Sequence, residues 1–178
     1  LVQGLFITFI LWFGGETIPD DLLHDTISEV VDIVCSQHHI PDKESFKRLL
    51  YETAQYESEG GIYIEQLSGG GARGIYQIEP FTAECIKNNW MRYSASTPLE
   101  TLYKNTYESG MGLEWNLEVN LGFQTLVASL IYISRMNKKD HALIKTLTGR
   151  AKVYKKYFNT PLGKGTIQGY ITKNKKEK

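Results

Sequence analysis

Apolar residues recur at three- and four-residue spacing along much of this chain, and each such stretch predicts an amphipathic helix. After Pro19-Asp20-Asp21, one face is marked by Leu23, Ile27, Val30, Val31 and Val34. Its first turn is acidic, where the helix dipole favours negative charge. His39-Ile40-Pro41-Asp42 breaks the pattern, and Asp42 is placed to cap a second helix reaching about Ser58, which Gly60-Gly61 ends. Residues 60–80 carry six glycines and two Ile/Tyr-rich stretches, the signature of a loop or small hairpin. Pro80 starts a short helix through about Asn89, and Pro98 starts another. The longest helical pattern runs from about Leu113 to Met136, and from Leu121 to Ile133 it is apolar nearly all round, as a central buried helix should be. The rest predicts shorter basic helices interrupted around Asn159–Gly165. The expected fold is mainly α, a helical domain around a central buried helix with a small β-hairpin or loop region.

At 178 residues with 42% hydrophobic and 22% charged positions, the chain can build one real core, which excludes a disordered protein. No fixed-period repeat is visible, which argues against a solenoid or propeller. The expected division is an apolar N-terminal segment, residues 1–19, and one domain over 20–178. Within that segment Leu5-Phe6-Ile7-Thr8-Phe9-Ile10-Leu11-Trp12-Phe13 is too short to span a bilayer, which needs about 20 apolar residues. No basic residue precedes it and no small-x-small cleavage site follows, so it does not read as a signal peptide. A strand or plug packed on the domain or on a partner is the preferred expectation, with membrane contact as the alternative.

The net charge of zero hides an asymmetry. From Lys138 to Lys178 twelve Lys/Arg face two acids, a net of +10, and residues 1–137 balance this with eight Lys/Arg against eighteen acids. A basic end suits an anionic partner, or else forms part of a solvated, self-complementary surface. No nucleic-acid-binding pattern accompanies it, so nucleic acid is not expected as a partner. Cys35 and Cys85 form no CxxC, and His24, His38, His39 and His141 have no zinc spacing. Two buried free thiols are the favoured state of the cysteines, with a disulfide as the alternative.

The second helix carries the chemistry. Advancing about 100° per residue from Phe46, Leu49 falls at about −60°, Leu50 at about 40°, Thr53 at about −20° and Ala54 at about 80°. Glu57 falls at about 20°, in the middle of that apolar face, whereas Glu52 and Glu59 fall near the opposite side. A carboxylate on a buried face is expensive unless hydrogen-bonded or protonated. A carboxylic acid kept protonated near neutrality is what general-acid catalysis requires. The alternative is an acid that escapes to solvent where the helix frays.

Glu57-Ser58 is followed by the glycine-rich segment and then by Gly71-Ala72-Arg73-Gly74-Ile75-Tyr76-Gln77-Ile78-Glu79-Pro80-Phe81-Thr82-Ala83. This order resembles the lytic transglycosylases of the lysozyme-like superfamily, whose pattern is Glu-Ser at a helix end and then G-A-x-G-L-M-Q-[IL]-x-P-x-T-A. Ile75 and Tyr76 stand where the family has Leu and Met. Asn120 is similar to an Asn near the start of the family's central helix. Tyr157-Phe158-Asn159-Thr160-Pro161-Leu162-Gly163 looks related to its A-Y-N-A-G-x-G stretch, with Phe158 in place of the tyrosine that contacts the catalytic acid. Tyr157 would supply that contact from one residue earlier, or the contact is absent. The resemblance spans roughly residues 42–170 and is closest to divergent phage-type members.

The resemblance implies an α+β lysozyme-like fold and a phage cell-wall-degrading enzyme with Glu57 as acid and then base. No metal or organic cofactor is implied. The substrate would be peptidoglycan glycan strands, and the site of action a phage virion, the host periplasm or the cell wall. Ser58 would orient the sugar, Gln77 and Asn159 would bond N-acetyl groups, and Tyr63, Tyr76 and Phe81 would offer ring faces. For Phe81, core packing is the favoured alternative. Glu65 and Glu79 are candidates for the second carboxylate that a true hydrolase needs. A virion structural protein that keeps the fold, docking a virion or tail partner through residues 1–19, is a further alternative. A phosphate-binding loop is excluded by the missing GK[ST].

Overall fold

The computed structural model describes residues 17–65, 70–91, 97–161 and 163–175. The expectations for residues 1–16 therefore fall outside the described residues. The fold is mainly α. Helix α1 (Asp20–Gln37) buries the predicted face, with Leu23, Ile27, Val30, Val31 and Val34 all inside. Helix α2 (Lys43–Ser58) begins where Asp42 accepts from the Ser45 amide at 3.0 Å and from the Ser45 hydroxyl at 2.8 Å. It ends where Glu59 turns left-handed at φ 54° and Gly60 follows at φ 70°. Helices α3 (Pro80–Met91) and α4 (Pro98–Thr106) start at the two prolines, the second capped by Thr97.

The single long helix expected from Leu113 to Met136 is two helices, α5 (Gly112–Val119) and α6 (Leu121–Arg135), so α1 is the longest described helix. The break lies at Asn120, whose backbone leaves the helix at φ −96°, ψ 96°. Its side chain accepts from the Phe123 amide at 3.1 Å and donates to the Thr106 carbonyl and to Asn116 Oδ1. A side chain that satisfies backbone groups on both sides of the break competes with helix continuation. Periodicity alone cannot register it.

Helix α6 is the centre of the fold. Every residue from Leu121 to Tyr132 is buried, and α1, α2, α3, α4 and α5 pack around it. The basic end folds as α7 (Lys138–Leu143), α8 (Leu147–Val153), a π-helical turn (Tyr154–Phe158) and α9 (Ile167–Asn174). Ala151, Tyr154, Tyr170 and Ile171 make a second, smaller core there. Among the described residues β structure is limited to isolated bridges, among them the antiparallel pairs Glu65 with Arg73 and Arg73 with Ile78. The cysteines are unpaired and only partly buried. No described helix is long and apolar enough to cross a membrane.

Candidate active site

Glu57 stands in the last turn of α2, with its carboxyl lining a cleft of about 930 Å³. The Tyr154 hydroxyl donates to Glu57 Oε1 at 2.5 Å. Burial pushes the Glu57 carboxyl up to about 7, and the Tyr154 hydrogen bond pulls in the opposite direction without cancelling it. Burial, and then the nearby Glu57 charge, push the Tyr154 phenol above its ordinary range, so it remains a donor. Near neutrality Glu57 therefore divides between acid and base forms, the property a proton-transferring group needs.

Tyr154 reaches this position through the π-helical turn, in which the Asn159 amide bonds the Tyr154 carbonyl five residues back at 3.1 Å. The wider turn changes the side-chain register, a device often found at functional sites. Aromatic packing then fixes the ring. Tyr170 stacks on Tyr154 with centroids 4.8 Å apart, Tyr56 meets it edge-on at 5.4 Å, and Phe158 stacks at 6.2 Å. The chain passes closely over the hydroxyl at Gly165, where a Cβ would come within 2.7 Å of Tyr154 Oη.

The wall formed by the glycine-rich loop presents Tyr63, Glu65, Ala72, Gln77, Ile78, Glu79 and Thr82 to the cleft. Between Arg73 and Ile78 the chain makes a tight turn closed by two backbone hydrogen bonds of 3.0 and 2.9 Å. Gly74 is at φ 74°, and a Cβ there would lie 2.0 Å from the Leu117 carbonyl oxygen, so only glycine fits. Gln124 from α6 accepts from the Ile75 amide at 2.7 Å, which pins the turn to the central helix. The C-terminal loop supplies Asn159, Thr160, Gly163, Lys164 and Gly165, and α6 supplies Ile131 and Arg135.

Of the residues expected from the sequence, Glu57, Gln77, Asn159, Glu65 and Glu79 come together in this one cleft. Both Glu65 and Glu79 are exposed. Gln77 is at φ 46°, and its side-chain amide donates to the Tyr63 and Gly74 carbonyls at 3.1 and 2.9 Å, so it braces the loop as well as facing the cleft. Asn159 Oδ1 accepts from Lys155 at 2.9 Å.

Four residues expected at the substrate site are corrected. Ser58 is fully buried, donating to the Ala54 carbonyl and accepting from the Gly61 amide, so it shapes the helix end. Tyr76 is fully buried, its ring near Phe158 and its hydroxyl 3.5 Å from Thr125. Asn120 is buried as the cap of α6. Tyr157 points its hydroxyl at Asp140 Oδ2, 2.6 Å away, and does not bond Glu57. Phe81, expected in the core, is 74% exposed.

Two features escaped the sequence reading. Tyr154 makes the contact expected of Tyr157 or else expected to be absent. Glu52, placed on the outer side of α2, is buried in a bidentate pair with Arg150 of α8, at 2.6 and 2.7 Å. The available signal was the four-residue spacing of Arg150 and Tyr154, which puts the two side chains on one face of their helical segment, while their partners on α2 are set by the tertiary fold. The charge of the basic end is thus partly neutralised within the chain, since Lys156 pairs with Asp140 and Lys173 with Glu59. Among the described residues no cluster of three or more His, Cys, Asp or Glu could hold a metal ion. No protein-family profile, curated sequence or solved structure matches the chain significantly.

Proposed function

We propose that this chain is a lysozyme-like glycan-cleaving enzyme, a lytic transglycosylase that acts on the β-1,4 link between N-acetylmuramic acid and N-acetylglucosamine in peptidoglycan. The observation that carries this reading is a carboxyl raised to about 7, held by one phenol in a cleft that the Gly71–Ala83 segment also lines. In the first step Glu57 protonates the glycosidic oxygen as the bond to the anomeric carbon breaks. In the second the Glu57 carboxylate takes the proton of the sugar's own 6-hydroxyl, whose oxygen closes the 1,6-anhydro ring. Glu57 then carries its proton again, and no water is consumed. On this reading the protein works at the bacterial cell wall, as part of a phage particle or in the host periplasm.

Glu65 and Glu79, exposed on the same cleft, favour a second reading, a hydrolase with one of them as nucleophile or base. The two mechanisms differ in product and in mutational pattern. On the single-acid route Glu65→Gln and Glu79→Gln each keep appreciable activity, and mass spectrometry of digested peptidoglycan finds muropeptides lighter by one water. A hydrolase would give reducing-end products, with one of the two variants nearly as inactive as Glu57→Gln.

The pH profile supplies a further check. Activity requires protonated Glu57, so kcat/KM should fall as pH rises through about 7. Tyr154 stabilises the carboxylate, so Tyr154→Phe should move this alkaline limb to higher pH. A limb unmoved in Tyr154→Phe would separate the phenol from the titrating group.

A further inference from the structure

Beyond the cleft lies a second, shallower depression of about 550 Å³, bordered by Pro80, Phe81 and Glu84 of α3 and by Met111, Glu114 and Trp115 at the start of α5. It exposes large apolar side chains, with Phe81 at 74% and Met111 at 50% of full exposure. Scattered single apolar residues on a surface need no explanation, but adjacent ones around a concavity mark a binding surface. The depression adjoins the cleft directly. Glu79 and Thr82 face the cleft while Pro80, Phe81 and Glu84 face the depression, so the first turn of α3 is a wall common to both.

We infer that this depression is an outlying glycan subsite, which takes the sugar residues of a strand that leaves the cleft over the first turn of α3. The inference rests on the glycan-cleaving reading of the cleft. Its chemistry suits a neutral sugar ring, which presents an apolar C–H face and a rim of hydroxyl and amide donors. Phe81 and Trp115 offer aromatic faces to the first, and the Glu84 and Glu114 carboxylates offer acceptors to the second. The same two carboxylates oppose an anionic occupant such as nucleic acid or an acidic lipid surface. Continuity with the cleft favours the strand itself over a second copy of the chain.

The experiment is calorimetric titration of the inactive Glu57→Gln protein with N-acetylglucosamine oligomers of graded length, repeated with Phe81→Ala added. Phe81 is exposed, so its removal should leave the unfolding temperature unchanged. Affinity should climb with oligomer length beyond what the cleft holds, and Phe81→Ala should lower affinity for the longest oligomers by about tenfold while leaving the shortest unaffected. An unchanged length dependence in Phe81→Ala, while oligomers still bind and wild type still cleaves, overturns the subsite and leaves the proposed function standing. Binding of no oligomer of any length, with no cleavage by wild type, removes the proposed function and the subsite with it. Concentration-dependent dimerisation that Phe81→Ala abolishes, with oligomer affinities unaltered, would assign the depression to a second copy.

Discussion

Glu57→Gln should lower glycan cleavage by about 10²–10⁴-fold, because it removes the proton donor and keeps the side-chain shape. The same substitution should make the protein more stable at alkaline pH. Burial raises the folded-state Glu57 carboxyl from its ordinary value of 4.5 to about 7. A raised folded pKa contributes stability that is fully present below about 4.5 and is lost as pH climbs through 7. Glutamine cannot ionise and escapes that loss, so above pH 7 the variant should exceed wild type by about 3 kcal/mol. Urea unfolding at acidic and alkaline pH, run beside the peptidoglycan assay, measures both effects. Full cleavage activity in Glu57→Gln would remove Glu57 from the chemistry, whatever the stability result. A stability difference that does not grow with pH would mean that the carboxyl is well solvated.

This pairing of lost activity with gained stability follows from where the sequence puts Glu57. The apolar stripe Phe46, Leu49, Leu50, Thr53 and Ala54 leads straight to it, and all five are fully buried. The bounds of α2 were equally legible, because Asp42 and the Glu59–Gly61 stretch are local signals whose physics does not depend on the rest of the fold. The prolines that open α3 and α4 are of the same kind.

What the sequence hid depends on distant partners. Asn120 divides one apolar run into two helices because Thr106, fourteen residues earlier, presents a carbonyl to its side chain. Tyr154 is not legible in the motif, which puts its tyrosine directly before the asparagine, whereas here the phenol comes from five residues before Asn159, at the start of a π-helical turn. Ser58, Tyr76 and Asn120 stand at positions that the resemblance would give to the site, yet each is inside, capping or ending a helix or packing in the core. A residue type within a motif does not say whether it faces substrate or supports the residue that does. That distinction is made by packing, and Phe81 illustrates the reverse case, an aromatic expected inside that stands in solvent.

Arg150→Met should destabilise the fold by about 3–5 kcal/mol, because it strands the Glu52 carboxylate in the interior. Arg150 and Glu52 are almost enclosed, with side-chain exposures of 7% and 12%. The guanidinium also donates to the Ile144 carbonyl at 3.0 Å, so its loss leaves a second acceptor unsatisfied. For a chain of this size the drop in unfolding temperature should be on the order of 10 °C. Replacing both partners, as Glu52→Met with Arg150→Met, should recover most of that loss, since two apolar side chains of similar volume carry no desolvation cost. The double-mutant cycle then isolates the pair from the packing around it. The pair also bears on the site, because Arg150 lies one turn before Tyr154 and ties α8 to α2 just ahead of the Tyr154–Glu57 hydrogen bond. At a temperature where it is still folded, Arg150→Met should therefore lose activity in excess of its unfolded fraction, and the double replacement should regain it. If stability returns in the double variant and activity does not, the ion pair positions Tyr154 through its own geometry. If both return together, the helix contact alone is sufficient to hold the phenol on Glu57.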